Sequence, residues 1–171
     1  DRDFAFAKRF GLPIKSVIAK DFGEELPNAK SVTGPVVIGY DPKTKLFMSL
    51  LNKGQRWLVG GGLEDGETYE QAAKRELKEE AGFSNVQAMI QLGDPTYSYY
   101  YNSNKNSNRR SFSPMFLAVI DSKEKIKQKL EAHENYQVVW SDLSAIVEDF
   151  KKEPSGRGHW IECLSRTEKA I

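Results

Sequence analysis

Residues 61–83 read GGLEDGETYEQAAKRELKEEAGF, and their charge is lopsided. Glu64, Asp65, Glu67, Glu70, Glu76, Glu79 and Glu80 are answered only by Lys74, Arg75 and Lys78, so the segment carries −4 in a chain of formal net charge +1. The same residues spell a helix with readable ends. Thr68 followed three positions on by Gln71 is a capping box, and Gly82 is a suitable stop after Ala81. Tyr69, Ala72, Ala73 and Leu77 supply the apolar side. Glu76, Glu79 and Glu80, three and four apart, share one face with Cβ atoms about 5–6 Å from each other. Like charges so placed weaken a helix, and these stand near the end where the dipole disfavours them. A solvated acidic face, softened by Arg75 and Lys78, is the ordinary explanation. Against it stand the three glycines at 60–62 and the acidic loop after them, which bring carbonyls and more carboxylates to the same place. Such oxygens are hard ligands for Mg²⁺, Mn²⁺ or Ca²⁺, and no thiolate or imidazole lies close by in the sequence to suggest zinc.

Outward from this helix the chain alternates strand and helix signals. PVVIGY and LFMSLLN are strand-like runs joined by the turn DPKT, and RWLVGGG is a short strand ending in glycines. NVQAMIQLG and PTYSYYY read as strands, NSNKNSNRR as a polar loop and SFSPMFLAVI as one buried strand. SKEKIKQKLEAHEN fits helix or loop, YQVVW a last strand, DLSAIVEDF a helix and HWIECLSRTEKAI a final short helix. Residues 1–33 hold an amphipathic piece and a linker, DFGEELPNAKSVTG. Strands mixed with helices in this order predict an α/β sandwich, sheets covered by helices on their faces. At 171 residues with 39% hydrophobic content the chain fits one domain with one sizeable core. A net charge of +1 gives no global pull toward nucleic acid or acidic membranes. A lone cysteine, Cys163, excludes an intrachain disulfide, and no run reaches the length of a membrane span. A cytoplasmic location is the expectation.

The pattern Gly61, five residues, Glu67, seven residues, then Arg75-Glu76-Leu77-Lys78-Glu79-Glu80-Ala81-Gly82-Phe83 resembles the Nudix box at every specified position. On this resemblance the chain is similar to the Nudix (MutT-like) hydrolase superfamily, with an α/β/α sandwich and a mixed sheet as the implied fold. The implied division is an extension and linker over 1–33, a Nudix domain over 34–153 and a C-terminal helical segment over 154–171. The resemblance implies that Glu76, Glu79 and Glu80 are metal ligands joined by the carbonyl of Gly61. Glu67 and Arg75 support them, Arg75 by a charge-assisted bond to a helix carboxylate. The implied cofactor is Mg²⁺ or Mn²⁺. The implied reaction is water attack on the diphosphate of a nucleoside diphosphate linked to another group X. Metal neutralises the diphosphate and acidifies the water, and a carboxylate takes the proton.

That base is a helix glutamate, Glu79 or Glu80, or a loop residue, for which Glu131 and Glu134 are the candidates and Glu134 stands nearer the last strand. His133 reads as a surface residue. Tyr99, Tyr100 and Tyr101 fall 16 to 18 residues past Phe83, where dinucleoside-polyphosphate hydrolases of the family carry a tyrosine. Tyr99, Tyr101, Arg75 and Arg109 are the substrate-binding candidates, set against tyrosine as an ordinary strand residue and Arg109–Arg110 as loop charge. Trp57 reads as core or pocket wall. A homodimer fits the family, and RNA contact is left open.

DRDFAFAKRFGLPIKSVI at the start resembles a segment of the leucyl-tRNA synthetase editing domain, with Asp3 matching an aspartate that holds an amino group there. NKNSNR and HWIECL are similar to parts of Nudix-like insertions in such synthetases. With Asp1 as first residue, the chain then reads as an excised insertion or its relative. The corresponding alternative is a non-catalytic binding or structural module. A third, an RNA 5′-end hydrolase, needs a basic groove, for which only NKNSNRR and SKEKIKQK offer residues.

Overall fold

The structure is a computed structural model that describes residues 21–103, 105–130, 134–152 and 158–171. Among these residues eleven strands and three helices follow in chain order: β1 (Asp21–Phe22), β2 (Lys30–Thr33), β3 (Val36–Asp41), β4 (Leu46–Asn52), β5 (Gln55–Trp57), β6 (Val59–Gly60), α1 (Tyr69–Glu76, continued by a π turn over Leu77–Ala81), β7 (Val86–Gln91), β8 (Thr96–Asn102), β9 (Ser107–Ser113), β10 (Met115–Ile120), β11 (Gln137–Ser141), α2 (Leu143–Lys152) and α3 (Gly158–Glu168).

The larger sheet runs β11-β4-β3-β10-β7, with β5 beside β4 and β6 beside β3. It is mixed: β3 and β10 are parallel, and the other pairs antiparallel. Strand alternation sorts its side chains between two cores. On one face Val36, Ile38, Phe47, Met115 and Leu117 pack with Ile146 and Phe150 of α2 and Cys163 and Leu164 of α3. On the other Val37, Met48, Leu50, Phe116, Ala118 and Ile120 pack with Ala73, Leu77 and Ala81 of α1. Helices on both faces of a mixed sheet make the α/β/α sandwich that the order of elements predicts. This places α1 flat against the β6 end of the sheet, where the glycines run.

Three readings differ, and one left open between helix and loop is narrowed. DFGEELPNAKSVTG, expected as linker, holds two strands: β1 lies parallel to β8, and β2 parallel to β9. NSNKNSNRR is only partly loop, because β9 starts at Ser107 and pairs along all of β8. SFSPMFLAVI is two strands in two sheets. Pro114 cannot donate to a ladder, and the chain leaves the β1-β8-β9-β2 sheet at Ser113 to enter the larger sheet at Met115. In SKEKIKQKLEAHEN, residues 122–130 form no helix or strand. The synthetase-like segment 1–18, Glu131 and His133 lie outside the described residues.

Candidate active site

The capping box forms at the start of α1: Gln71 N donates to Thr68 Oγ1 at 3.2 Å, and Thr68 N to Gln71 Oε1 at 2.8 Å. At the other end the helix widens into the π turn and stops at Gly82, whose φ of 78° suits glycine. Tyr69 is less a core residue than predicted; it is 39% exposed, and its ring lies 6.2 Å from that of Phe112. Glu76 and Glu80 are buried and Glu79 is partly exposed, so the acidic face turns inward.

Arg75 gathers the carboxylates. Its Nη1 donates to Glu76 Oε1 at 2.6 Å and to Glu79 Oε2 at 3.2 Å. Its Nε and Nη2 grip the two oxygens of Glu67 at 2.9 and 3.1 Å, and Nη2 also reaches the Gly62 carbonyl at 2.7 Å. The grip lowers the Glu67 pKa, with the amide of Glu64 adding to it, and the guanidinium itself is driven further toward its charged form, first by Glu67. Glu76 goes the other way: burial raises its pKa, and the charges of Glu79 and Glu134 add to that rise against the pull of Arg75. Glu80 Oε2 accepts from Gly60 N at 3.0 Å.

Glu134 reaches this place because the preceding loop is fastened to the end of α1. Ile126 N donates to the Gly82 carbonyl and Lys129 N to the Glu79 carbonyl, both at 2.8 Å. Gln128 Nε2 bonds the Glu80 carbonyl and, at 3.1 Å, that of Tyr136. Carbonyls at a helix end lack intrahelical donors, and this loop supplies them. Glu76, Glu79, Glu80 and Glu134 then line one pocket of about 420 Å³ with Arg75 and Lys129. As placed, no three acidic, histidine or cysteine side chains among the described residues could together hold a metal ion. Glu76 and Glu79 turn toward Arg75 instead, and Glu80 toward Gly60.

The glycines act by closeness. A Cβ on Gly61 would sit 2.0 Å from Glu76 Oε1, and one on Gly34 would sit 1.7 Å from the Gly61 carbonyl oxygen. The Gly61 carbonyl therefore faces Gly34, and Gly61 lines the neighbouring cleft rather than the acidic pocket.

That cleft, about 800 Å³, lies between the two sheets and meets the acidic pocket at Gly62 and Glu80. Ser98 and Tyr100 of β8 and Arg109, Ser111 and Ser113 of β9 are its floor. Tyr101 lines its rim, with its hydroxyl 2.5 Å from Asn106 Oδ1. Tyr99 is placed elsewhere. It lies on the opposite face of the strand, where the Arg110 guanidinium stands over Tyr97 at 4.3 Å and over Tyr99 at 5.7 Å. Of the three tyrosines 16 to 18 residues past Phe83, Tyr100 and Tyr101 line the cleft and Tyr99 does not, a split between Tyr99 and Tyr100 that period-two alternation with Ser98 could have indicated.

Residues 35–162 match the NUDIX domain model. The chain belongs to the NUDIX family. No curated protein matches it significantly. Among solved structures it is similar to an Ap4A hydrolase of C. elegans, at 17% identity and a TM-score of 0.58 over 81% of this chain and 96% of that one. It is also similar to a NUDIX hydrolase from Nitrosomonas europaea, at 14% identity and TM-score 0.55, covering 82% and 90%. The dihydroneopterin triphosphate pyrophosphohydrolase of E. coli shares 20% identity and TM-score 0.53 over 68% and 84%. At these identities the likeness is one of fold. The NUDIX match spans the glycines, α1 and the loop to Glu134. No helix among the described residues is long and apolar enough to cross a membrane.

Proposed function

We propose that this NUDIX chain is a metal-dependent hydrolase that cleaves the diphosphate linkage of a nucleoside diphosphate joined to a group X. The observation that carries the reading is the convergence of Glu76, Glu79, Glu80 and Glu134 on one pocket. The donor set fits a divalent cation, since it is all carboxylate, and the burial and like charge that raise the Glu76 pKa are costs a cation relieves. Glu76, Glu79 and Glu80 would hold Mg²⁺ or Mn²⁺, which supplies neutralisation of the diphosphate and a more acidic attacking water. Gly61 adds its carbonyl only if its peptide turns from Gly34. Glu134 takes the proton of the attacking water, being a pocket carboxylate that, like Glu64, comes from outside the helix, and that stands just before β11. Arg75, anchored by Glu67, keeps the helix carboxylates oriented and contacts the substrate's phosphates from the same wall.

The experiment is phosphate release from nucleoside triphosphates, ADP-ribose, nucleotide sugars and dinucleoside polyphosphates, with and without Mg²⁺ or Mn²⁺. Metal-dependent turnover of one class, lost by about a hundredfold or more in Glu79→Gln and Glu80→Gln, is the expected outcome, at or beyond the top of what outer-shell partners cost. Unchanged turnover in folded variants ends the proposal.

A second reading takes the chain as a non-catalytic module of a leucyl-tRNA synthetase. Besides the resemblance over residues 1–18, it draws on the ion pairs by which Arg75 offsets the like charges of Glu76 and Glu79. Binding of tRNA with no turnover of any diphosphate supports it.

A further inference from the structure

Every N–H of the Arg75 guanidinium is already engaged. Nε and one N–H of Nη2 hold Glu67, the second N–H of Nη2 holds the Gly62 carbonyl, and Nη1 divides between Glu76 and Glu79. A guanidinium has five N–H donors, so a phosphate reaches Arg75 only in exchange for one of these bonds. The other cation among the described lining residues of the acidic pocket is Lys129. An ammonium has three donors, and among the described residues that of Lys129 makes one hydrogen bond, to Glu79 Oε1 at 3.2 Å.

Lys129 is fixed at its base and open to solvent along its length. Its amide donates to the Glu79 carbonyl at 2.8 Å, and its neighbour Gln128 is bonded to the Glu80 carbonyl. Its side chain is nonetheless 86% exposed, against 27% for that of Glu79. The two oxygens of Glu79 thus hold one cation each, Oε2 that of Arg75 and Oε1 that of Lys129. An exposed ammonium trades a carboxylate for water at little cost, so Lys129 is the contact that an incoming metal ion displaces. A divalent cation on Glu79 also repels the ammonium beside it. Glu64, Glu76, Glu79, Glu80 and Glu134 line the pocket against Arg75 and Lys129, a formal charge of −3. A diphosphate entering there needs cationic partners, and the released ammonium is the one with donors to give.

We propose that Lys129 is an exchangeable counter-charge: it neutralises Glu79 in the metal-free protein and passes to a phosphate oxygen of the substrate when a divalent cation takes Glu79. The proposal rests on the hydrolase reading for the identity of that anion. It gives Lys129 two opposed effects, competitor for the metal and partner for the phosphate. A side chain of merely structural use would weaken both on removal.

The test is a calorimetric titration of the intact protein, first with Mn²⁺ alone and then, at saturating Mn²⁺, with inorganic pyrophosphate. Lys129→Met should bind Mn²⁺ about threefold to tenfold more tightly than the parent, because a competing charge is gone. The same variant should bind pyrophosphate on the Mn²⁺-loaded protein about tenfold less tightly, the loss of one charge-assisted hydrogen bond. Lys129→Arg, which keeps charge and donors, should lie nearer the parent than Lys129→Met in both titrations. Lys127→Met removes the same charge from a residue that does not line the pocket, and should shift either affinity by no more than about twofold. Mn²⁺ affinity in Lys129→Met equal to or below that of the parent overturns the proposal. So does unchanged pyrophosphate binding, a Lys127→Met protein that shifts as far, or a parent that binds no Mn²⁺. Lys129→Gln repeats the comparison should Lys129→Met fail to fold, as read from a melting curve. Both shifts in a protein that turns over no substrate of the phosphate-release panel would leave the exchange standing and remove the hydrolase. Metal-dependent turnover without the shifts would do the reverse.

Discussion

Arg75 and Glu67 meet through two parallel hydrogen bonds, Nε to Oε1 at 2.9 Å and Nη2 to Oε2 at 3.1 Å. This fork leaves Nη1 for Glu76 and Glu79. A lysine keeps the charge but cannot bridge three carboxylates in a plane. Arg75→Lys is expected to lower kcat roughly tenfold to a hundredfold with a smaller change in thermal stability, measured by steady-state kinetics beside a melting curve. Equal kcat in the lysine variant would show that charge alone suffices.

Gln128 acts at a distance from the chemistry. It donates to the Glu80 carbonyl and the Tyr136 carbonyl, tying the loop before Glu134 to the end of α1. Gln128→Ala removes both of these donations and should cost about 1–2 kcal/mol in denaturant unfolding. Because Glu134 loses its placement while the helix carboxylates keep theirs, kcat should fall with metal affinity near that of the parent. A parallel loss of both would assign Gln128 to the helix rather than to the loop.

Gly34 has no room for a side chain, since its Cβ would stand 1.7 Å from the backbone oxygen of Gly61. Backbone on both sides cannot yield as a side-chain tip can. Gly34→Ala should destabilise by about 1–3 kcal/mol or more, the range of overpacking. Gly62→Ala, where a Cβ meets nothing within 4 Å, is the matched control and should cost far less.

Asp41 sets an acid limit away from the site. Burial alone would raise its pKa, but hydrogen bonds from Ser122, Lys43 and Thr44 outweigh that and bring it down to about 2 from 3.8. A carboxylate with a depressed folded pKa stabilises the native state above its unfolded pKa. That contribution, at most about 2 kcal/mol, is present above pH 3.8 and lost as pH falls toward 2. Asp41→Asn should be less stable at neutral pH and converge with the parent near pH 2, as read from urea unfolding at a series of pH values. Parallel curves would mean that the shift carries no stability.

The helix of the acidic segment could be read from sequence because its signals are local. Thr68, Gln71, Gly82 and the spacing of Glu76, Glu79 and Glu80 all lie within about four helical turns of each other. The strands of 21–33 could not, because β1 and β2 pair with partners some 76 to 79 residues away and carry few apolar residues of their own. Tertiary pairing makes them strands. Pro114 breaks an apolar run that reads as continuous, and only the two-sheet geometry gives the break its meaning. Glu134 was suggested by its place before a strand, but what brings it to the pocket is three bonds from a loop with no periodicity. Tyr99 and Tyr100 differ by one position and therefore by a face.

The π turn at Leu77–Ala81 carries one more residue than a regular helical turn would use, and that surplus sets where Glu79 and Glu80 point relative to Glu76. Removing a single residue there would let the helix close into ordinary α geometry and change which side chains its last turn directs at the pocket. The site is thus encoded partly as a length. A homologue could keep every glutamate and still lose the arrangement through one deletion, which an identity score would barely notice.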